Sequence, residues 1–293
     1  MPVEVITGNH AAGYALSVAG EANRTARGVA CGIYPITPQT EIVEYVAKFP
    51  FSKGRVVPVE SEHSAMAVSM GASMNGARAF TASSANGIAY MAENIMVAGY
   101  YRLPIVMVAV NRTLGPPWNI WADQGDTLML RDFAWLQFYC ETNQEVLDTT
   151  LLAFRLAEDH RIMLPVLTCM DAFIVSHTQT ETALPEQAKV DRFLPDLDLP
   201  HRTRPGEART LGGLAWPHEG LSMRLEIDEA MQRVPDVYQE CREAFTDIFG
   251  RDPGDVMQTF ETDDAEAIRI ARGTLRLSEK IIYLHHRSIR RSR

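Results

Sequence analysis

Through residues 1–178, short apolar runs alternate with longer stretches in which apolar positions recur every three or four residues. The first pattern suits a strand buried on both faces, and the second suits a helix with one apolar side. On this basis helices are predicted over residues 9–26, 38–48, 64–76, 87–99 and 145–159. Strands are predicted over 29–34, 55–59, 77–82, 104–110 and 165–170. Such alternation implies an α/β fold for a first domain over 1–178: a doubly wound, mostly parallel sheet with helices on both faces. Met66, Met70 and Met74 lie four apart on one helix face, a stripe that reads as core packing. The texture changes near residue 179, where prolines at 185, 195, 200 and 205 stand among charged residues. Residues 179–255 are therefore read as an extended linker followed by a long amphipathic helix over 221–249. That helix should stop at Gly250, ahead of the turn sequence Arg251-Asp252-Pro253-Gly254.

Composition narrows the function. The 293 residues are 46% hydrophobic, enough for a sizeable core, and carry a net charge of −9. An acidic chain lacks the basic face that general nucleic-acid binding needs. The first twenty residues include Glu4 and His10 and show no signal-peptide pattern. Apolar runs such as 103–110 are too short to span a bilayer. A cytoplasmic protein without membrane contact is expected. Cys31, Cys140, Cys169 and Cys241 are scattered, with no C-x-x-C pair. Neither a metal site nor a disulfide is expected from them.

Four segments fall at the ends of apolar runs, where open α/β sheets bind ligands. In Tyr34-Pro35-Ile36-Thr37-Pro38, prolines flank a threonine whose hydroxyl could face a ligand or cap the helix starting at Pro38. In Val59-Glu60-Ser61-Glu62-His63-Ser64, a glutamate serves either as a helix N-terminal group or as a buried functional carboxylate. Spacing leaves open whether Glu60 or Glu62 points inward, and His63 is given no role. The third is Thr81-Ala82-Ser83-Ser84-Ala85-Asn86-Gly87. The fourth is Asn111-Arg112 with the loop to Asp132, where Arg112 could fork onto a ligand carboxylate or pair with Asp123, Asp126 or Asp132. There is no Walker loop, G-x-G-x-x-G, H-E-x-x-H or G-x-S-x-G. The chain lacks a self-sufficient catalytic set and should contribute to a site that something else completes.

The segment 34–38 running on through Gln39-Thr40-Glu41-Ile42-Val43-Glu44-Tyr45 resembles the opening motif of α subunits of 2-oxoacid:ferredoxin oxidoreductases, pyruvate:ferredoxin oxidoreductase type. Residues 59–66, the run 103–112 with Asn119-Ile120-Trp121, and 171–178 follow the same family in order and spacing. The likeness spans roughly residues 5–265. It implies the thiamine diphosphate-binding fold in its pyrimidine-type form. By resemblance, Glu62 is the catalytic carboxylate facing the aminopyrimidine nitrogen, and Thr37 and Arg112 bind the carboxylate of the 2-oxoacid. Pro38, Asn86, Trp118, Asp123, Gln124 and Asp126 fall where the pocket is expected. The resemblance implies oxidative decarboxylation of pyruvate or a related 2-oxoacid to an acyl-coenzyme A and CO2, with electrons passed to ferredoxin. It implies thiamine diphosphate shared with a β subunit, with magnesium and [4Fe-4S] clusters in partner subunits only. Further γ and ferredoxin-like δ subunits would complete a hetero-oligomer.

Two departures bear on this. Where pyruvate-specific relatives read Asp-His-Gln-Asp, this chain has Asp123-Gln124-Gly125-Asp126, and their Ser-Gln-Gly is Ala85-Asn86-Gly87 here. Pro116-Pro117-Trp118 adds bulk nearby, so a phenylglyoxylate- or oxalate-type substrate is an alternative to pyruvate. Family members also continue into another α/β domain, whereas residues 256–293 turn Arg-rich and end in His285-His286-Arg287-Ser288-Ile289-Arg290-Arg291-Ser292-Arg293. This stretch is read as a remnant or truncated start of that domain, through truncation or a frame change, or else as a basic tail docking on an acidic partner. A truncated, non-catalytic interaction subunit is the competing functional reading. A transketolase-type enzyme would need a G-D-G segment with a following asparagine pair, which is not found.

Overall fold

The computed structural model of the protein describes residues 1–208 and 210–256. The expectations for 256–293 and the basic tail lie, beyond Val256, outside the described residues. The chain opens with β1 (Val3–Ile6), α1 (Gly8–Glu21), β2 (Val29–Ile33), α2 (Thr40–Lys48), β3 (Gly54–Pro58) and α3 (Glu62–Met74). Next come β4 (Arg78–Ser83), α4 (Ala85–Tyr90), α5 (Ala92–Tyr100), β5 (Ile105–Asn111), the short α6 (Gly125–Leu128) and β6 (Leu136–Cys140). Then follow α7 (Asn143–Ala157), β7 (Val166–Asp171), β8 (Thr180–Ala183), α8 (Gln187–Phe193) and α9 (Pro217–Phe249).

Six strands form one parallel sheet in the order β3-β2-β4-β5-β7-β6. Each face of the sheet has its own core, because alternate strand residues point opposite ways. On β5, Val106, Val108 and Val110 join a cluster with α1, α2, α7 and α9, while Ile105, Met107 and Ala109 join one with α3, α4 and α5. This is the doubly covered sheet expected from the apolar runs. Met66 and Met70 are buried in the second cluster and Met74 packs on it, so the methionine stripe is core.

Several elements differ from the reading of the sequence. The first helix stops at Glu21, five residues early, in a turn closed by the Asn23 side chain on the Gly28 carbonyl. The single helix expected over 87–99 is two, α4 and α5, broken at Met91. The strand β6 was missed, as was the antiparallel pair β1–β8. The stretch read as a linker contains β8 and α8; α8 is tied to α1 by Gln187 donating to the Val18 carbonyl and to the turn after α1 by the paired Arg24 and Asp191. From Ile227 onward α9 buries an apolar face against the first core. It ends as expected at Gly250, which takes a left-handed φ of 74° that only glycine adopts without penalty. Arg78, wholly buried, donates to Glu158 at 2.6 and 2.7 Å and to the carbonyls of Ala19 and Pro195. No helix among the described residues is long and apolar enough to cross a membrane.

Candidate active site

All six parallel strands present their carboxyl ends to one edge of the sheet. From β2 the chain steps outward to β3, then returns past β2 to β4. Reversal of this kind opens a crevice between the ends of β2 and β4. The four segments picked out in the sequence converge there.

The start of α3 decides between the two glutamates. Ser61, in extended conformation, is its N-cap and accepts from the Ser64 amide at 3.3 Å. Glu60 therefore stays outside the helix, exposed, and accepts from the Ser64 hydroxyl at 2.5 Å. That bond holds its carboxyl below the usual range. Glu62, the first helical residue, turns inward and is 8% exposed. Its carboxylate has no hydrogen-bond or ion-pair partner among the described residues. Opposite it lies Gly87. A Cβ there would fall 2.5 Å from Ser83 Oγ and 2.6 Å from Glu62 Oε1, so only glycine leaves this carboxylate in place. Ser83 Oγ is itself buried without a partner. A buried acid with no internal donor is the kind of group that a ligand completes.

The loop after β2 is built from side chains that the sequence reading did not single out. Buried Gln39 donates to the Ala82 carbonyl at 2.6 Å and to that of Tyr34 at 3.3 Å, tying the loop to β4. Asn9 donates to the Pro38 carbonyl at 2.8 Å. The peptide Thr37–Pro38 is cis, and α2 begins at Thr40 with Gln39 at the capping position. Thr37 is thus not a helix cap, which corrects that alternative; its side chain is exposed, and Pro38 is buried beneath it.

Arg112 follows the fully buried strand β5. Its Nη1 donates to the Thr37 carbonyl at 2.7 Å, joining two of the singled-out residues directly. The guanidinium forms no ion pair with Asp123, Asp126 or Asp132 among the described residues. Its Nε is buried without a partner, and burial lowers its pKa. Asp126 lies beneath, fully buried. It accepts from the backbone amides of Ala85 at 2.9 Å and Arg112 at 3.2 Å, and from Asn111 Nδ2 at 2.7 Å. Burial pushes its carboxyl up to about 6 against those bonds. Asp126 thus faces the protein's own backbone and clamps the ends of β4 and β5 together. Ala85, one of its donors, holds a strained φ of 43°.

The remaining pocket residues shape the loop over this edge. Asn86 exchanges two hydrogen bonds with the Gly115 backbone, each 3.2 Å. Trp118 packs against Gly115 yet stays 66% exposed at the rim. Asp123 is exposed and accepts from the Gly125 amide at 2.7 Å. Gln124 donates to Asp171 at the end of β7. The four cysteines are buried free thiols.

Comparison with known proteins bears on the family and the fold. The family described as "Pyruvate flavodoxin/ferredoxin oxidoreductase, thiamine diP-bdg" matches residues 21–243. The chain is 39% identical over 278 residues to the pyruvate synthase subunit PorA of Methanothermobacter thermautotrophicus, covering 94% of this chain and 70% of that one. It is 41% identical over 277 residues to the ketoisovalerate oxidoreductase subunit VorA of Pyrococcus abyssi, covering 93% and 68%. Among solved structures, it resembles the 2-oxoglutarate:ferredoxin oxidoreductase of Magnetococcus marinus with a TM-score of 0.63 at 22% identity. That match covers 80% of this chain and 45% of the solved one, and it speaks to the fold.

Proposed function

Since the chain belongs to the pyruvate flavodoxin/ferredoxin oxidoreductase family, we propose that it is the α subunit of a cytoplasmic 2-oxoacid:ferredoxin oxidoreductase and supplies the pyrimidine side of its thiamine diphosphate site. The observation that carries this reading is Glu62: a buried carboxylate without an internal partner, set against Gly87 in the crevice between β2 and β4. An interaction subunit without chemistry gives no reason to bury an unpaired acid, which is costly.

Thiamine diphosphate, when bound, supplies the carbon nucleophile for the 2-oxo carbon and the electron sink that follows loss of CO2. The residues present fit its aminopyrimidine. Glu62 holds or releases a proton at a ring nitrogen, and burial keeps water from competing for that bond. Thr37 and Arg112 orient the carboxylate of the 2-oxoacid. Arg112 Nη1 is taken by the Thr37 carbonyl, which fixes the guanidinium and leaves Nε to be satisfied. Asp126, Asn111 and Gln39 hold the strand ends on which these groups ride. Pro38, Asn86, Trp118, Asp123 and Gln124 shape the approach.

A β subunit holds the diphosphate, magnesium and iron–sulfur ligands, and γ and ferredoxin-like δ subunits carry electrons to ferredoxin, with coenzyme A as acyl acceptor. Pyruvate is the first substrate to test. A branched 2-oxoacid is the second, because identity to the ketoisovalerate relative is no lower than to the pyruvate relative. Isothermal titration with magnesium tests the divided site. The full chain alone should bind thiamine diphosphate weakly or not at all, and the chain assembled with its partner should bind tightly. Tight, stoichiometric binding by the lone chain contradicts the reading.

A further inference from the structure

Buried polar atoms without partners mark places where a folded protein expects something else to bind. Among the described residues, Asn9 Oδ1, Ser83 Oγ, Asn111 Oδ1 and Arg112 Nε are such atoms, and all lie at the sheet edge that carries the site above. Ser73 Oγ, Arg102 Nε and Arg202 Nε are three more. They belong to residues lining a single cavity of about 250 Å³ at the opposite end of the sheet. The cavity lies between the last turn of α3, the entry to β5, residues 199–202 and Leu211. One β5 length, roughly 20 Å, separates it from Arg112.

The charge around this cavity is one-sided. Arg102 and Arg202 line it, His160 and His201 stand at its exposed rim, and Glu226 is the one acid among its lining residues. Glu226 sits 3.9 Å from Arg102 Nη1, too far to occupy that guanidinium. Arg102 is anchored by its Nη2 on the Ile162 carbonyl at 2.8 Å, which leaves Nε free to donate. Ser73 is fully buried. Arg102 and Met163, both lining residues, hold positive φ values of 54° and 47°. Strain of this kind gathers at ligand sites, and Ala85 shows it at the other edge. Leu103, Leu199 and Leu211 complete the walls.

We propose that this cavity is a second binding site, for a small oxyanion: a phosphate- or carboxylate-bearing molecule whose oxygens accept from Arg102, Arg202 and Ser73 and whose body lies against the apolar wall. The Nε of each guanidinium and the Ser73 hydroxyl, three donors left without an internal acceptor, match an acceptor-rich anion rather than a cation or a neutral apolar ligand.

The test uses the full chain. Thermal unfolding is followed with inorganic phosphate against potassium chloride at equal ionic strength, with acetate as a separate arm, and affinities are taken by isothermal titration. A saturable rise in Tm with phosphate alone assigns a phosphate head group; one with acetate assigns a carboxylate. Arg102→Gln, Arg202→Gln and Ser73→Ala should each unfold cooperatively in chloride. At least one of the arginine variants should weaken binding by about tenfold or more, as expected for losing a charged hydrogen bond. Ser73→Ala, which removes one oxygen from a packed helix, keeps the question open to test if an arginine variant does not fold. Arg112→Gln should keep the full response. No stabilisation beyond chloride overturns the proposal, as does a response lost in Arg112→Gln and kept in the cavity variants.

Discussion

Gly87→Ala adds one methyl group at the point where the site is tightest. The new Cβ would lie 2.6 Å from Glu62 Oε1, 2.9 Å from Glu62 Cγ and 2.5 Å from Ser83 Oγ, whereas ordinary contact begins near 3.4 Å. Ser83 Oγ, which no hydrogen bond holds, relieves its own contact by turning about χ1, but the Glu62 oxygen must withdraw by about 0.8 Å. Folding should suffer little: overpacking costs about 1–3 kcal/mol, offset by the roughly 0.5–1 kcal/mol that alanine gains over glycine in a helix. Activity should suffer much more, because displacing a positioned group by near 1 Å costs on the order of 10²-fold. The assay is 2-oxoacid-dependent viologen reduction by the assembled complex, with thermal unfolding of the same sample. Gly71→Ala is the matched control: it lies on α3 with nothing within 4 Å of its Cβ, and it should be neutral or stabilising with full activity. A folded Gly87→Ala enzyme within about twofold of wild-type activity refutes the reasoning.

Arg112→Ala should raise KM for every 2-oxoacid by roughly 1.5–3 kcal/mol, the worth of a charged hydrogen bond, with kcat less affected; steady-state kinetics that show a loss in kcat alone would move Arg112 from binding to chemistry. Arg78→Met leaves Glu158 charged and nearly buried and should cost about 3–5 kcal/mol in denaturant unfolding, most of it recovered by adding Glu158→Leu; full stability of the single variant would contradict the buried pair. Asp126 carries a folded-state pKa raised to about 6, above its unfolded value near 4, so its ionised form costs stability at neutral pH and that cost fades as pH falls from about 6 toward 4. Relative to Asp126→Asn, the wild type should therefore gain stability, on the order of 3 kcal/mol at most, between pH 7 and 4.5; a difference flat in pH contradicts the burial argument.

Much of the fold was legible because its strands are apolar on both faces. The run over 104–110 could hardly be anything but a covered strand, and β5 spans Ile105–Asn111. What escaped was structure held by distant or mixed partners. In β6, Leu136, Phe138 and Cys140 face one core while Gln137 and Tyr139 bond to Thr127, so its sequence lacks a continuous apolar run. Strand β1 is defined only by β8, almost the whole domain away along the chain. The site divides the same way. Glu62, Thr37 and Arg112 stood at strand ends and drew notice, but spacing could not choose Glu62 over Glu60; the Ser61 cap does that by setting where α3 begins. Gln39 and Asn9 are single polar residues whose importance lies in which carbonyl they reach across the fold. No local pattern encodes that.

The central claim is that Glu62 acts on the aminopyrimidine of a cofactor whose other half is held by a partner. Hydrogen–deuterium exchange at C2 of thiamine diphosphate, in the assembled complex without 2-oxoacid, reads this with no contribution from substrate binding or electron transfer. Glu62→Gln keeps the shape of the side chain and removes its ionisable proton, so exchange should slow by ~10²–10⁴, the range for one acid–base group. Glu60→Gln, altering an exposed neighbour bonded to Ser64, should leave the rate unchanged. Exchange at the wild-type rate in Glu62→Gln, or slowed only in Glu60→Gln, would contradict the account.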